Sequence, residues 1–224
     1  MSADIPLGDF PLAILAKAPI PGKAKTRLIP SLGARGAAEF HEDLVRHTLT
    51  VACGATPSHR ITLWTALAPF HPLFLELAHE HDIALSPQPP GDLGIRIYQA
   101  LSRLPGPGLL IGTDCPTLTP ALLLRCYHAL ANADAVFLPA EDGGYGLVGV
   151  QSPDIRLFHD VPWGTSRVMG TTRERAAALG WRIACPATVW DIDRPEDLSR
   201  WASQCTERQP THHEGKNIAF RKRP

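Results

Sequence analysis

Apolar residues follow two rhythms along this chain. Residues 11–16, 61–66, 83–86, 109–112 and 135–139 are short, nearly continuous apolar runs bounded by Gly, Pro or charge. Runs that short predict buried strands rather than helices. Residues 33–53 instead repeat at helical spacing, with Ala37, Phe40, Leu44, Thr48 and Val51 on one stripe. Residues 71–81, 93–104, 119–131, 165–179 and 195–204 also predict helices, the second of these with Ile97, Leu101 and Leu104 inward. Residues 145–150 predict a strand after a Gly-Gly turn, and 181–185 a late strand. The alternation of strand and helix predicts an α/β fold: a single domain with an open, mostly parallel central sheet and helices on both faces.

The pattern fades at both ends. Residues 1–10 are expected to be an N-terminal extension and 11–204 the folded unit. Residues 205–224 hold Arg208, Lys216, Arg221, Lys222 and Arg223 with few apolar groups. Such a segment cannot bury enough surface to order itself alone, so a basic, disordered tail is expected.

Composition narrows the function classes. The 22 basic residues balance the 22 acidic ones among 224, so no whole-protein field favours nucleic acid or an anionic membrane. The five cysteines are odd in number, widely spaced and free of a C-x-x-C pair. Neither a disulfide framework nor a structural zinc site is expected, which favours a reducing cytoplasm. No basic segment precedes a long apolar stretch at the N-terminus, so no secretory signal is expected. No apolar run approaches the roughly 20 residues a membrane helix needs.

Against that neutral background, residues 17–30 stand out. Lys17, Lys23, Lys25 and Arg27 crowd around Pro19, Pro21 and Gly22, directly after a strand. The Walker pattern G-x-x-x-x-G-K-[ST] is absent: Gly22-Lys23 is followed by Ala24, and Lys17 holds the earlier glycine position. A phosphate held here would be held mainly by side chains, ammonium groups as point charges and Arg27 as a fork. The plainer alternative is a solvated basic loop.

Two groups of carboxylates could complete a site. Asp114 ends the apolar run 109–112 and is stopped by Pro116, and ligands of open α/β sheets collect at such strand ends. It could hold Mg²⁺ or serve as a turn or cap residue. Asp191 and Asp193 share one face of an extended segment, ahead of a helix opened by Pro195 and flanked by Glu196 and Asp197. Asp193 could cap that helix, bind metal, or both. Glu141-Asp142-Gly143-Gly144-Tyr145 sets acids beside glycines, readable as a ligand approach or a hairpin turn. Gln88, Gly91, Asp92 and Gly94 precede a helix, where Asp92 could contact a ligand or cap. No G-x-S-x-G elbow marks a hydrolase, and Cys115 is expected to be a buried small hydrophobe.

Four segments, in this order, carry a resemblance: residues 16–28, Gln88 with Gly91 to Gly94, Gly112-Thr113-Asp114-Cys115-Pro116, and Asp142 to Tyr145 with Trp163. Together they resemble the rSAM/selenodomain-associated transferase family, often labelled arsenosugar-biosynthesis-type glycosyltransferases. That family lies within the nucleotide-diphospho-sugar transferase (GT-A-like) superfamily, and the resemblance spans residues 10–203. It implies a GT-A-like (Rossmann-like) domain, a nucleotide-activated substrate, and Mg²⁺ or Mn²⁺. Asp114 falls at the main metal aspartate and Asp193 at a second ligand. Lys25 and Arg27 match phosphate-gripping residues. Lys17, Gly22, Lys23, Thr26, Gln88, Gly91, Asp92, Gly94, Gly143, Gly144 and Tyr145 fall in the segments expected to bind the nucleotide-activated substrate. One departure stands: Asp114-Cys115-Pro116 supplies a single carboxylate where many GT-A glycosyltransferases carry Asp-x-Asp.

The expected activity is metal-dependent glycosyl transfer from a nucleotide-diphospho-sugar to a small acceptor, with Lys25, Arg27, Asp114 and Asp142 catalytic. The alternatives are nucleotidyl transfer to a phosphorylated substrate and a non-catalytic nucleotide-binding module. Neither membrane nor nucleic acid is an expected partner.

Overall fold

The computed structural model describes residues 8–207, so the expected extension at 1–10 and tail at 205–224 fall largely outside them. Seven strands form one sheet: β1 (Leu12–Lys17), β2 (Ile61–Ala66), β3 (Ala84–Pro87), β4 (Gly108–Ile111), β5 (Ala135–Pro139), β6 (Tyr145–Val150) and β7 (Ile183–Ala184). Their order is β3-β2-β1-β4-β6-β5-β7. All neighbours run parallel except β6, which is antiparallel to both β4 and β5. The main helices are α1 (Ile29–Cys53), α2 (Pro72–His81), α3 (Leu93–Ser102), α4 (Pro120–Ala129), α5 (Val168–Ala178) and α6 (Pro195–Glu207). The expected α/β architecture, with a mostly parallel sheet covered on both faces, is what the chain adopts.

Alternation along the strands sends neighbouring residues to opposite faces. Leu12, Ile14, Leu109 and Ile111 point to one face, where Val45 and Leu49 of α1, Phe74 of α2 and Leu123 of α4 cover them. Ala13, Leu110, Phe137 and Val148 point to the other, against Ile97 and Leu101 of α3 and Met169 of α5. Burial on both faces explains why the strands read as continuous apolar runs.

A third cluster matters most for the site. Leu28, Ala37, Leu44, Trp190, Ile192 and Trp201 pack together, joining the end of the basic loop, α1, and the segment leading into α6. The basic loop and the segment around residues 190–192 are thereby brought side by side.

Differences from the expected boundaries have local causes. Helical structure starts at Ile29, but Gly33 is non-helical at φ 71°, ψ 166°, so the long uninterrupted helix follows it. The helix expected from 165 starts at Val168, because Thr165 folds into a turn: its hydroxyl donates to Pro162 O and accepts from Arg167 N–H. No helix among the described residues is long and apolar enough to cross a membrane.

Candidate active site

β1 and β4 are adjacent and parallel, so their carboxyl ends open at the same edge of the sheet. The basic loop leaves β1 there, and Asp114 stands just beyond β4. Gly22 turns the loop at φ 77°, and Lys25 follows in the left-handed region at φ 46°, ψ 45°. A left-handed non-glycine residue carries a conformational cost of about 1 kcal/mol. Here it goes with a Lys25 side chain only 4 % exposed, whose Nζ lies 2.7 Å from Asp114 Oδ1. The same ammonium donates to the Ile192 carbonyl. Ile192 N–H in turn donates to Asp114 O at 2.9 Å. Lys25 thus ties three separate segments into one unit.

Arg27 pairs with Asp193 across the same gap. Asp197, in the first turn of α6, reaches back to this segment, accepting from the backbone N–H of Asp193 at 3.0 Å and of Arg194 at 2.7 Å. Of the loop's cations, Lys25 and Arg27 have carboxylate partners. Lys17 and Lys23 are exposed and have no ion-pair partner among the described residues.

These groups line two connected hollows. The smaller, about 300 Å³, is walled by Lys17, Lys23, Lys25, Thr26, Arg27, His41, Asp114 and Asp193. The larger, about 520 Å³, shares Lys17, Arg27, His41, Asp114 and Asp193. It continues past Gln88 and Arg96 to Asp142, Gly144, Tyr145, Trp163 and Asp191.

The electrostatics follow from this crowding. Burial in the cleft opposes ionisation of Asp114, but the Lys25 ammonium, by charge and by hydrogen bond, outweighs it, with Lys17 adding to the effect. The carboxyl is therefore held below its usual range. Asp191 goes the other way: burial, then the neighbouring Asp142 charge, push it up to about 6. Asp142 accepts from Gly144 N–H at 2.8 Å, and neither Asp142 nor Asp191 has a cationic partner among the described residues. Cys115 is 5 % exposed, and burial, then the charge of Asp114, drives its thiol pKa upward, so it stays protonated and is no nucleophile.

The remaining sequence candidates separate into those that face the cleft and those that shape it. Gln88 lines it, with Nε2 donating to Ala16 O at 3.2 Å and Trp64 O at 2.9 Å. Asp92 caps α3 by accepting from Ile95 N–H at 2.9 Å, and is not among the lining residues. Gly91 makes the left-handed turn before it, and its carbonyl accepts from Arg96 Nε. Gly94 is a packing position: a Cβ there would meet Phe158 O at 2.4 Å and the Trp163 ring at 3.2 Å. Gly143 likewise shapes the 140–146 turn without lining the cleft.

Several lining residues lay outside the expected site, His41, Arg96 and Asp191 among them. His41, 4 % exposed, binds Lys17 O through Nε2 at 3.0 Å. A carbonyl partner requires the proton on Nε2. Burial, with the nearby Lys25 and Lys17 charges, lowers its pKa against the opposing pull of Asp114, so the ring is neutral at pH 7. Its signal was present: it sits four residues after Ala37 and three before Leu44, on the buried stripe of α1. Asp191 was visible as the same-face neighbour of Asp193, but only the packing of Trp190 and Ile192 turns it into the cleft.

A family model described as "Uncharacterized protein conserved in bacteria (DUF2064)" matches residues 48–165. No curated protein matches the chain in sequence. Among solved structures, a protein from Desulfovibrio desulfuricans G20, provisionally named a nucleotide-diphospho-sugar transferase, is similar with TM-score 0.77 at 24% identity, over 94% of this chain and 89% of that one. A nucleotidyl transferase from Methanothermobacter is similar with TM-score 0.55 at 15% identity, over 88% and 98%. The 4-diphosphocytidyl-2C-methyl-D-erythritol synthase of Anaerococcus prevotii is similar with TM-score 0.54 at 13% identity, over 89% and 99%. At such identities the likeness is one of fold, and it is the fold the motifs implied.

Proposed function

The chain belongs to the DUF2064 family of bacterial proteins, and we propose that it is a transferase acting on a nucleotide-activated substrate. The reaction is transfer of a glycosyl group from a nucleotide-diphospho-sugar to a small acceptor, in the manner of the arsenosugar-biosynthesis-type enzymes its motifs resemble. The observation that carries this reading is the Lys25–Asp114 contact, which presses a four-cation loop against a strand-end carboxylate at the mouth of a cleft. The names of the structural relatives support a nucleotide-utilising transferase, that of the Desulfovibrio protein suiting glycosyl transfer and those of the nucleotidyl and cytidylyl transferases the second reading below. The four unpaired cysteines among the described residues suit a reducing cytoplasm.

Lys17 and Lys23, without ion-pair partners among the described residues, meet the diphosphate first. Arg27 exchanges Asp193 for a phosphate oxygen. As the bond from sugar C1 to the diphosphate oxygen breaks, its electron pair leaves with the nucleoside diphosphate. Fixed cations around that oxygen lower the barrier by several kcal/mol in sites of this kind. Asp142 takes the proton of the acceptor hydroxyl whose oxygen forms the new bond to C1.

The donor set bears on the metal. Asp114 and Asp193 offer hard oxygens, yet each already holds a loop cation. No group of three or more His, Cys, Asp or Glu among the described residues is arranged to hold an ion. Mg²⁺ takes one or two carboxylates plus substrate phosphates. These residues therefore fit an ion brought in on the substrate, with Asp114 and Asp193 receiving it. When bound, the ion neutralises charge on the departing diphosphate.

Four cations in one loop also suit a triphosphate, which favours nucleotidyl transfer as the second reading. Phosphorus NMR of the protein with Mg²⁺ and a panel of nucleotide sugars and nucleoside triphosphates separates the two. Nucleoside diphosphate released from a nucleotide sugar is the expected product. Pyrophosphate release that depends on a phosphorylated acceptor would sink the glycosyl reading.

A further inference from the structure

The larger hollow has two chemically opposite sides. Its lining cations, Lys17, Arg27 and Arg96, come from the β1 loop and α3. On the side built from residues 140–146, 163–168 and 191–193, the charged lining groups are all carboxylates: Asp142, Asp191 and Asp193. Asp193 is neutralised by Arg27, whereas Asp142 and Asp191 have no cationic partner among the described residues. Beside them stand two aromatic rings. Tyr145 and Trp163 meet edge to face, centroids 6.1 Å apart at 78°. Tyr145 is braced from behind by Phe137 at 5.0 Å. Trp163 is locked by the missing side chain of Gly94.

We propose that this wall is the acceptor subsite, and that it takes a polyhydroxylated or amine-bearing ring carrying no phosphate or carboxylate. This rests on the cleft being the transfer site. Two carboxylates without a cationic partner, facing one cavity, repel a phosphate and, beyond backbone N–H groups such as that of Gly144, call for further donors. Hydroxyl or ammonium groups supply those donors, and each hydrogen bond to a charged acceptor is stronger than a neutral one. The aromatic faces select a carbon ring over a bare cation, burying its apolar face or attracting its ammonium. The one lining cation that reaches this side, Arg27, is held by Asp193, so among the described lining residues no uncommitted arginine or lysine is left for a phosphorylated acceptor. Asp191 becomes a second specificity residue, opposite Asp142, the proposed base.

The test uses saturation-transfer NMR on the full-length protein with the cation loop filled by inorganic pyrophosphate. The probes are methyl glucoside, glucosamine and glucose 6-phosphate. Methyl glucoside and glucosamine are expected to bind and glucose 6-phosphate to fail. Asp191→Asn and Trp163→Ala should each weaken binding at least fivefold, while Trp163→Phe, which keeps an aromatic face and the fold, retains it. Preferential binding of glucose 6-phosphate overturns the proposal. So does sugar binding untouched by Asp191→Asn, or displacement of the sugars by Mg²⁺ alone, which would assign the carboxylate pair to a metal. Calorimetry of pyrophosphate binding is read separately: if it does not bind, the nucleotide reading of the loop fails whatever the sugars do.

Discussion

Lys25 is a structural tie at the mouth of the proposed site. Its ammonium is nearly inaccessible and serves Asp114 and Ile192 O together. Lys25→Met should cost about 2 kcal/mol in urea unfolding, the scale of a charged hydrogen bond whose partner is half exposed. Because the Asp114 pKa is depressed, its stabilising share is present above about pH 4 and is lost as pH falls through its folded value. The variant should lose that acid-limb slope. Asp191 has the opposite sign. Its folded pKa, about 6, lies above the unfolded one, so stability falls as pH rises through that window. Asp191→Asn should therefore stabilise the protein at pH 7 by about 1–2 kcal/mol and hardly at all at pH 4. Gly22 and Gly143 separate strain from clash. A Cβ at Gly22 meets nothing within 4 Å, so Gly22→Ala should cost about 1 kcal/mol of backbone strain alone. At Gly143, with φ 90°, the same atom meets Ser166 O at 2.2 Å, so Gly143→Ala should cost clearly more. Equal midpoint shifts for the two would contradict the geometry.

At the scale of elements, the site is a junction of the β1 loop, the β4 end, and the segment entering α6. Arg200 reinforces it: it pairs with both oxygens of Glu141, at 2.7 and 2.8 Å, and stacks 4.4 Å over Trp190. The 140–146 turn is thereby anchored to α6. Arg27→Gln tests the loop itself. The Arg27–Asp193 pair is largely exposed, so unfolding stability should change by less than about 1 kcal/mol. Pyrophosphate affinity should fall at least tenfold if Arg27 turns to phosphate on binding; calorimetry at fixed ionic strength reads it directly. Most elements were legible from the sequence, because β2, β5 and β6 carry the apolar runs and turn residues that bound them. The insertion of antiparallel β6 between β4 and β5 was not. Pairing order depends on contacts between residues far apart in the chain, and an apolar strand buried on both faces looks the same whichever neighbour it meets.

For the whole molecule, the opposed charges of the cleft predict linked binding. On the proposed reading, Mg²⁺ alone would find Asp114 and Asp193 already paired, and a nucleotide alone would leave Arg27 and Lys25 shared. Thermal unfolding should show a small shift with either alone and a rise of about 5–10 °C with both at 100-fold over their dissociation constant. Simple addition of two small shifts would argue against such coupling. By itself, the amino-acid order determined the α/β class, the strand and helix periods, the basic loop and the strand-end Asp114, because each is written in local spacing and residue type. Only the tertiary structure decided which of the loop's cations have carboxylate partners among the described residues, that Asp197 holds the backbone entering α6, that Asp92 is engaged in capping α3, and that His41 and Asp191 face the cleft. Those outcomes depend on which distant groups compete for the same hydrogen bond or charge, and that competition exists only once the third core cluster has brought residues 28 and 192 together. The loop at 17–30 could be recognised as cationic from its letters, but its division into cations with and without a carboxylate partner is a property of the fold.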